Sequence, residues 1–192
     1  MEKTPPISGA LGPNDWIIAG FQALAIGGPG ALRAEALARD IGTTQGSFYW
    51  HFKDLRDFQA QMLEMWQAQA PDSLSGPDLP RPTSAKERAQ QMVDWLTLRP
   101  VAPLGDPRVE PALRAWALAE PWVAERLAVV DDQRLTQIAH MFTAAGLGNG
   151  AAKAAALTLY GLWIGLQSLL IDRMPEAQKL LRKEVKRLLS QG

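Results

Sequence analysis

The sequence predicts an all-α chain of about nine helices, and three observations lead to that reading. Apolar residues recur at intervals of three and four along most of the chain, the repeat of a helix with one buried side. No segment of useful length alternates apolar and polar residues as a half-buried strand does, and no internal repeat appears. Groups of Gly and Pro cut the chain into pieces of helical length. With 192 residues, 47% hydrophobic and 21% charged, the chain can bury a core and has the balance of a folded globular protein of one or two domains.

Residues 1–13, rich in Pro and Gly, read as a loose arm. Asn14 is the expected cap of a helix over 14–26, with Ile17, Phe21 and Leu24 on one side, and Gly27-Gly28-Pro29-Gly30 ends it. A second helix over 34–40 turns Leu37 and Ala38 inward, and Ile41-Gly42-Thr43 forms a tight turn. Thr44 then stands at the N-cap of a third helix, with Ser47 at its third position and Phe48 at its fourth. The fourth helix, 55–70, offers Phe58, Met62 and Met65 or Trp66 for packing. Residues 71–83 are the clearest loop, and a helix over 85–98 follows, closed by Arg99-Pro100. Pro103, Gly105 and Pro107 mark an irregular stretch before a short helix over 110–119, which Glu120-Pro121 stops. A long helix over 122–145 is separated by Gly146 to Gly150 from an apolar helix over 151–173. Pro175 opens the last helix, which ends near residue 189.

Composition excludes several kinds of chemistry. The chain has no cysteine, so disulfides, thiolate nucleophiles and sulfur-bound zinc are out, and His51 and His140 are too few for a histidine-rich metal site. Neither a metal nor a cofactor is expected. Asp131 and Asp132 are adjacent and cannot face one site equally from a helix; Glu120, Glu125, Asp131 and His140 form no metal motif. Gly27-Gly28-Pro29-Gly30 lacks the Lys-Ser/Thr exit and preceding strand of a phosphate loop, so an enzyme is not expected. The first 16 residues have no basic start followed by an apolar run, which makes a signal peptide unexpected and cytoplasmic residence the default. The most apolar stretch, residues 154–171, is 18 residues long and holds Thr158, Gln167 and Ser168; it reads as a buried or interface helix, short of the ~20 residues a membrane span needs.

GTTQGSFYWHFKD, residues 42–54, carries the functional signal. Phe48 and Phe52 lie four apart and share a helix side, which leaves Gln45, Ser47, Tyr49 and His51 for the flanks or the outside. Two short helices joined by a tight turn at Gly42 and braced by the first helix make a helix-turn-helix, whose second helix suits a DNA major groove. Thr44 and Ser47 have hydroxyls fit for phosphate or base-edge contact, and Gln45 can present its amide to adenine. Tyr49 and His51 can donate to phosphate oxygens, and Lys53 adds a cation at the helix exit. Gly46 permits close approach to DNA or to a partner helix, while Trp50 fits either packing or contact. Charge argues the other way: Lys+Arg and Asp+Glu are both 20, and over residues 1–60 the five cations Lys3, Arg33, Arg39, Lys53 and Arg56 meet six anions, Glu2, Asp15, Glu35, Asp40, Asp54 and Asp57.

Residues 16–63 resemble the N-terminal DNA-binding region of the tetracycline-repressor (TetR/AcrR) family of bacterial transcriptional regulators. Gly42, Gly46, Phe48, Tyr49, His51, Phe52 and Lys53 occupy the motif of that family, with Leu37 and Ala38 in the preceding helix. Two positions depart from it. Arg33 stands where a Ser or Thr cap is common, and Gln45 where a lysine is common, which trades phosphate attraction for base reading. The resemblance implies a DNA-binding domain over 14–54 and a ligand-binding and dimerisation domain over 55–192. It also implies a homodimer on a palindromic operator, its two modules about one helical turn, ~34 Å, apart. Arg33, Thr43, Thr44, Gln45, Gly46, Ser47, Tyr49, Trp50, His51 and Lys53 are the residues expected to meet DNA.

The rest of the chain supplies candidates for pairing and for an effector. Gly161 and Gly165 form a GxxxG that admits a close helix crossing, internal or between subunits. Leu159, Leu162, Leu166, Leu169, Leu181, Val185 and Leu188 are the apolar groups expected with them at a four-helix dimer interface; an internal monomer core is the competing explanation. Trp66, Met92, Trp95, Trp116, Trp122, Met141, Phe142, Tyr160 and Trp163 provide material for an apolar effector cavity, with His140 and Gln167 as polar handles, although helical packing accounts for each taken singly. The expected function is a regulator, a repressor released by a small apolar effector. An activator or ligand-independent DNA-binding protein is one alternative, and a small-molecule-binding helical dimer with weakened DNA function, motivated by the acidic N-terminal balance, is another.

Overall fold

The computed structural model describes residues 11–69, 84, 87, 106–168, 176, 179, 180 and 183. Among the described residues the chain is all-helical, with seven α-helices: α1 (Pro13–Gly27), α2 (Ala34–Asp40), α3 (Gln45–His51), α4 (Leu55–Gln69), α5 (Val109–Ala119), α6 (Pro121–Ala144) and α7 (Asn149–Ser168). The helices expected over 85–98 and 175–189 lie outside the described residues except at single positions. At one of these the Ser84 hydroxyl accepts the Glu87 N–H at 3.1 Å, the bond of a helix start. No helix among the described residues is long and apolar enough to cross a membrane.

By contact the chain divides into two compact units, Met1–Ala68 with Pro103–Ala124, and Gln69–Ala102 with Glu125–Gly192. The grouping differs from the expected division at residue 54, since it keeps α4 and α5 with the first three helices.

In the first unit α1 is the brace. It packs on α2 and α5, and Trp16, Ile17, Phe21 and Leu24 are its buried side. Asn14 is not its cap: Pro13 occupies the first helical position, where its missing N–H costs nothing, and the cap falls on Gly12, whose N–H donates to Asp15 Oδ2 at 2.8 Å. The sequence α2–turn–α3 is fixed by backbone geometry at Gly42. Its φ of 74° lets its own N–H reach Arg39 O at 3.3 Å and the Thr43 N–H reach Ala38 O at 2.8 Å, satisfying two end carbonyls of α2. A non-glycine residue pays strain in that left-handed region.

The same device closes α6 in the second unit. Gly146, φ 104°, donates to Thr143 O at 3.0 Å and Leu147 N to Phe142 O at 3.1 Å, after which α7 begins. The unit's core joins Ile138 and Phe142 of α6 to Ala152, Ala156, Leu159, Tyr160 and Trp163 of α7. A buried Arg134 sits within it, donating from Nη1 to the Tyr160 hydroxyl at 3.1 Å, while that hydroxyl donates to Asp131 Oδ1 at 2.6 Å. Tyr160 stacks on Trp163 with ring centres 5.5 Å apart, and the guanidinium carbon lies 5.1 Å from the Trp163 ring centre.

Gly20 shows how tightly the first unit is packed. A Cβ there would lie 2.6 Å from Phe58 Cζ and 2.7 Å from Met62 Sδ, both on fully buried side chains. Gly20→Ala gains about 1 kcal/mol of helix propensity but forces an overpacked core that costs about 1–3 kcal/mol, and neither neighbour has free space to retreat into. The expected result is a net loss of stability, read as a lower urea midpoint with an unchanged slope.

Candidate nucleic-acid interface

Seven residues are too few for a helix to stand alone in water, so α3 depends on what its aromatic residues touch. Phe48 and Phe52 are buried as their spacing predicts. Phe48 meets Trp16 edge-on at 5.3 Å, Phe52 at 5.0 Å and Phe58 edge-on at 5.2 Å, and Phe52 meets Phe58 edge-on at 4.9 Å. This aromatic seat draws on α1, α3 and α4 at once. With one side of α3 committed to it, the remaining side chains are displayed outward.

That displayed set is the one expected from the sequence. Arg33, Thr44, Gln45, Gly46, Tyr49, Trp50 and Lys53 are exposed, and Thr43, Ser47 and His51 are partly so. Trp50 resolves in favour of display, at 89% exposure, and Tyr49, 56% exposed, makes an edge contact with Phe48 at 5.3 Å. Thr44 occupies the N-cap position without making a side-chain cap bond, so its hydroxyl stays available for an outside partner. Arg33 likewise stands at the N-cap of α2 with no cap bond from its side chain. A Cβ on Gly46 would find only Thr44 Oγ1, at 3.8 Å, so the small residue serves no close approach within the chain. His51 lies against Phe52, ring centres 6.2 Å apart.

The exit from α3 is held by two acids. Asp54 Oδ1 accepts the Asp57 N–H at 2.8 Å, capping α4, and Asp57 Oδ2 accepts the Lys53 N–H at 3.0 Å. Both aspartates counted against DNA binding on charge alone, yet they fix the backbone that carries Lys53. The repeat of Asp at 54 and 57 ahead of an apolar run is a capping pattern that the sequence offered. Two further ties had no sequence signal. Arg56 lies over the Trp122 ring, 3.5 Å from its centre, and Trp66 Nε1 donates to buried Glu110 Oε2 at 3.2 Å, whose other oxygen pairs with Arg114 at 2.8 Å.

The effector candidates divide between the two units. Trp66, Trp116 and Trp122 belong to the first, where Trp66 and Trp116 are core and Trp122 meets Trp116 edge-on at 5.6 Å. Phe142, Tyr160 and Trp163 are buried in the second unit's core, Met141 and Gln167 are partly buried, and His140 is exposed. Met92 and Trp95 lie outside the described residues. A groove of 1110 Å³ in the second unit runs between α6 and α7, lined by Asp132, Thr136, His140, Asn149, Lys153 and Leu157 among others, so His140 is the one expected handle on it. Among the described residues no cluster of three His, Asp or Glu could hold a metal ion.

The interface candidates also separate. Leu159 and Leu166 are corrected from interface to core: α7 turns them inward and the chain's own packing buries them. Leu162 and Gly165 remain partly accessible and Gly161 exposed, and a Cβ on either glycine would meet nothing among the described residues. Leu169, Leu181, Val185 and Leu188 lie outside the described residues.

No family model matches the sequence, and no curated protein matches it. Solved structures do match the fold. One is a transcriptional regulator from Rhodococcus sp. Rha1, 18% identical over 94% of this chain and 95% of its own, TM-score 0.71. Another is a TetR-family member from Streptomyces coelicolor A3, 23% identical over 92% and 97%, TM-score 0.60. A third is the regulator FadR from Bacillus subtilis in complex with stearoyl-CoA, 16% identical over 92% and 97%, TM-score 0.63. At these identities the likeness is one of fold, and it runs nearly the full length of each chain.

The Lys53 backbone N–H, then the Gln61 side chain, hold the Asp57 carboxyl below its ordinary value of 3.8. A carboxyl depressed in the folded state contributes stability that is complete above the ordinary value and fades as pH falls below it through the folded one. Urea unfolding at pH 7 and pH 3 should therefore show Asp57→Asn losing less stability on acidification than the wild type. Asp54→Ala should cost about 1 kcal/mol at pH 7 through the lost cap.

Proposed function

We propose that this chain is a TetR-family member acting, without catalysis, as a homodimeric DNA-binding transcriptional regulator: a repressor that a small apolar effector releases from a palindromic operator. The observation that carries the reading is the outward edge of α3. Hydroxyl, amide, phenol, indole, imidazole and ammonium groups stand side by side there on a helix whose apolar side is fully committed. The full-length likeness to regulators supports it. The FadR relative, seen with stearoyl-CoA, supports a ligand role for the body.

Within this reading Tyr49, His51, Lys53 and Arg33 hold phosphates, Thr43, Thr44 and Ser47 serve phosphate or base edge, and Gln45 reads a base. Gly46 lets the backbone come close, and Trp50 offers an apolar face. Release needs a path from the body to α3, and α4 supplies its last link. Its start is tied to Trp122 through Arg56 and its end to Glu110 through Trp66, so a shift of α5 or of the first turn of α6 drags α4 at both ends. An effector favouring the DNA-incompetent state by ~1.4 kcal/mol changes operator occupancy about tenfold.

Selection of bound sequences from random duplex DNA tests the proposal. A palindromic consensus with half-sites one turn apart is expected, and absence of any selected sequence at low salt would favour the weakened small-molecule binder instead. On the selected site, Lys53→Ala should weaken all sequences alike and lower the salt slope by about 1, whereas Gln45→Ala should relax preference at one position by about 1–3 kcal/mol. Equal loss for Gln45→Ala on every sequence would remove its reading role. Pairing has its own check at Gly161: since a Cβ there meets nothing among the described residues, Gly161→Leu should leave their packing intact and block close helix approach. Sedimentation is expected to show dissociation of the dimer.

A further inference from the structure

Ala156, Tyr160 and Trp163 are buried along one side of α7, and Gln167, four residues on, continues it. Polar atoms on this side are treated unequally. The Tyr160 hydroxyl has a donor in Arg134 and an acceptor in Asp131. Among the described residues Trp163, 1% exposed, buries an indole Nε1–H that has no acceptor, and one turn further both Nε2 and Oε1 of Gln167 are buried with no partner. Two donor groups and one acceptor thus stand within a single turn. Burying a primary amide unpaired lowers stability, whereas an apolar side chain of similar length would carry no such penalty. The neighbouring residues Ile164 and Leu166 show that the helix accommodates apolar groups at this level. A partner from outside the chain gives these atoms a purpose.

We propose that Trp163 and Gln167 form the polar subsite for a neutral ligand bearing a hydrogen-bond acceptor beside a donor, the pattern of an amide or undissociated carboxylic acid, on an apolar body. The inference rests on the reading of this unit as effector-binding. The ligand's carbonyl oxygen, with two lone pairs, accepts from Trp163 Nε1 and Gln167 Nε2, and its adjacent N–H or O–H donates to Gln167 Oε1. A carboxylate would bring only acceptors and leave Oε1 unpaired, so the site selects the neutral form. Arg134 does not reverse this choice, because its guanidinium is engaged inside the core by Tyr160 and the Trp163 ring.

The test uses the full chain and matched probes: hexanamide against methyl hexanoate, and benzamide against methyl benzoate, each titrated calorimetrically. An ester keeps the acceptor and lacks the donor, so the wild type is expected to bind each amide at least about tenfold more tightly than its ester. In Gln167→Leu that ratio should fall to about 1, whereas Trp163→Phe should weaken amide and ester alike and leave the ratio in place. The ligand-free Gln167→Leu protein should melt above the wild type, by about 2–6 °C, because an unpaired buried amide is gone. Equal affinity of amide and ester for the wild type, no binding of either, or a preference that survives Gln167→Leu would overturn the proposal. So would a lower melting temperature for Gln167→Leu, which would mean that the protein or a bound water already satisfies the amide. A wild type that selects palindromic DNA yet shows no amide preference removes the subsite and leaves the regulator; amide preference without any selected DNA does the reverse.

Discussion

The burial of Phe48 is the constraint on which the rest depends. Its ring meets Trp16, Phe52 and Phe58, one from each helix that α3 must be held against and one from its own exit. Full burial of one such side chain contributes about 1.5–3 kcal/mol, more than two turns of isolated helix can supply through backbone bonds alone. The helix is therefore ordered by its apolar side, and its polar edge is rigid because that side is. A flexible edge would lose backbone as well as side-chain entropy on meeting a duplex; this one has lost the backbone part on folding.

Electrostatics sets the character of any such encounter. Five cations against six anions over residues 1–60 leave little long-range attraction. The structure narrows the account further on both sides. Arg56 lies over Trp122, while Asp54 and Asp57 each accept a backbone N–H and keep their negative charge beside Lys53. Near α3 stands a short display of neutral donors and acceptors, with Lys53 at its exit and Arg33 at the start of α2. Under the proposed DNA-binding role, such an edge leans on direct hydrogen bonds more than on counterion release.

Much of this was legible in the sequence because it rests on local periodicity. Phe48 and Phe52 at spacing four, Leu37 and Ala38 before the turn, and Gly42 at the left-handed position each announce their role within a few residues. Where long-range partners decide, the sequence is silent. Nothing near Glu110 signals that it will be buried against Trp66, and Arg134 sits among polar neighbours that suggest a surface. Leu159 and Leu166 could not be told from interface residues for the same reason. A helix apolar on several sides does not say which side meets its own chain. Asn14 was misread because Pro13 can begin the helix itself.

α7 brings these threads together. One side is buried by Ala152, Ala156, Leu159, Tyr160 and Trp163, while Ala154, Leu157, Thr158 and Gly161 face outward, Leu157 at 64% exposure. Apart from Lys153 and Leu157 the outward residues of this stretch are small, and a surface of that kind gives a monomer little to gain: it weakens the helix at each glycine by about 1 kcal/mol relative to alanine. The same residues become an advantage once a second helix lies against them, because small side chains let two backbones approach and Leu157 then has apolar surface to cover. The inward side holds a parallel tension, since the Trp163 and Gln167 polar atoms are costly to the isolated chain and useful only to something that binds. Local stability is thus yielded on two sides of one helix, and the proposed second copy and the proposed neutral ligand are the partners through which it would be recovered.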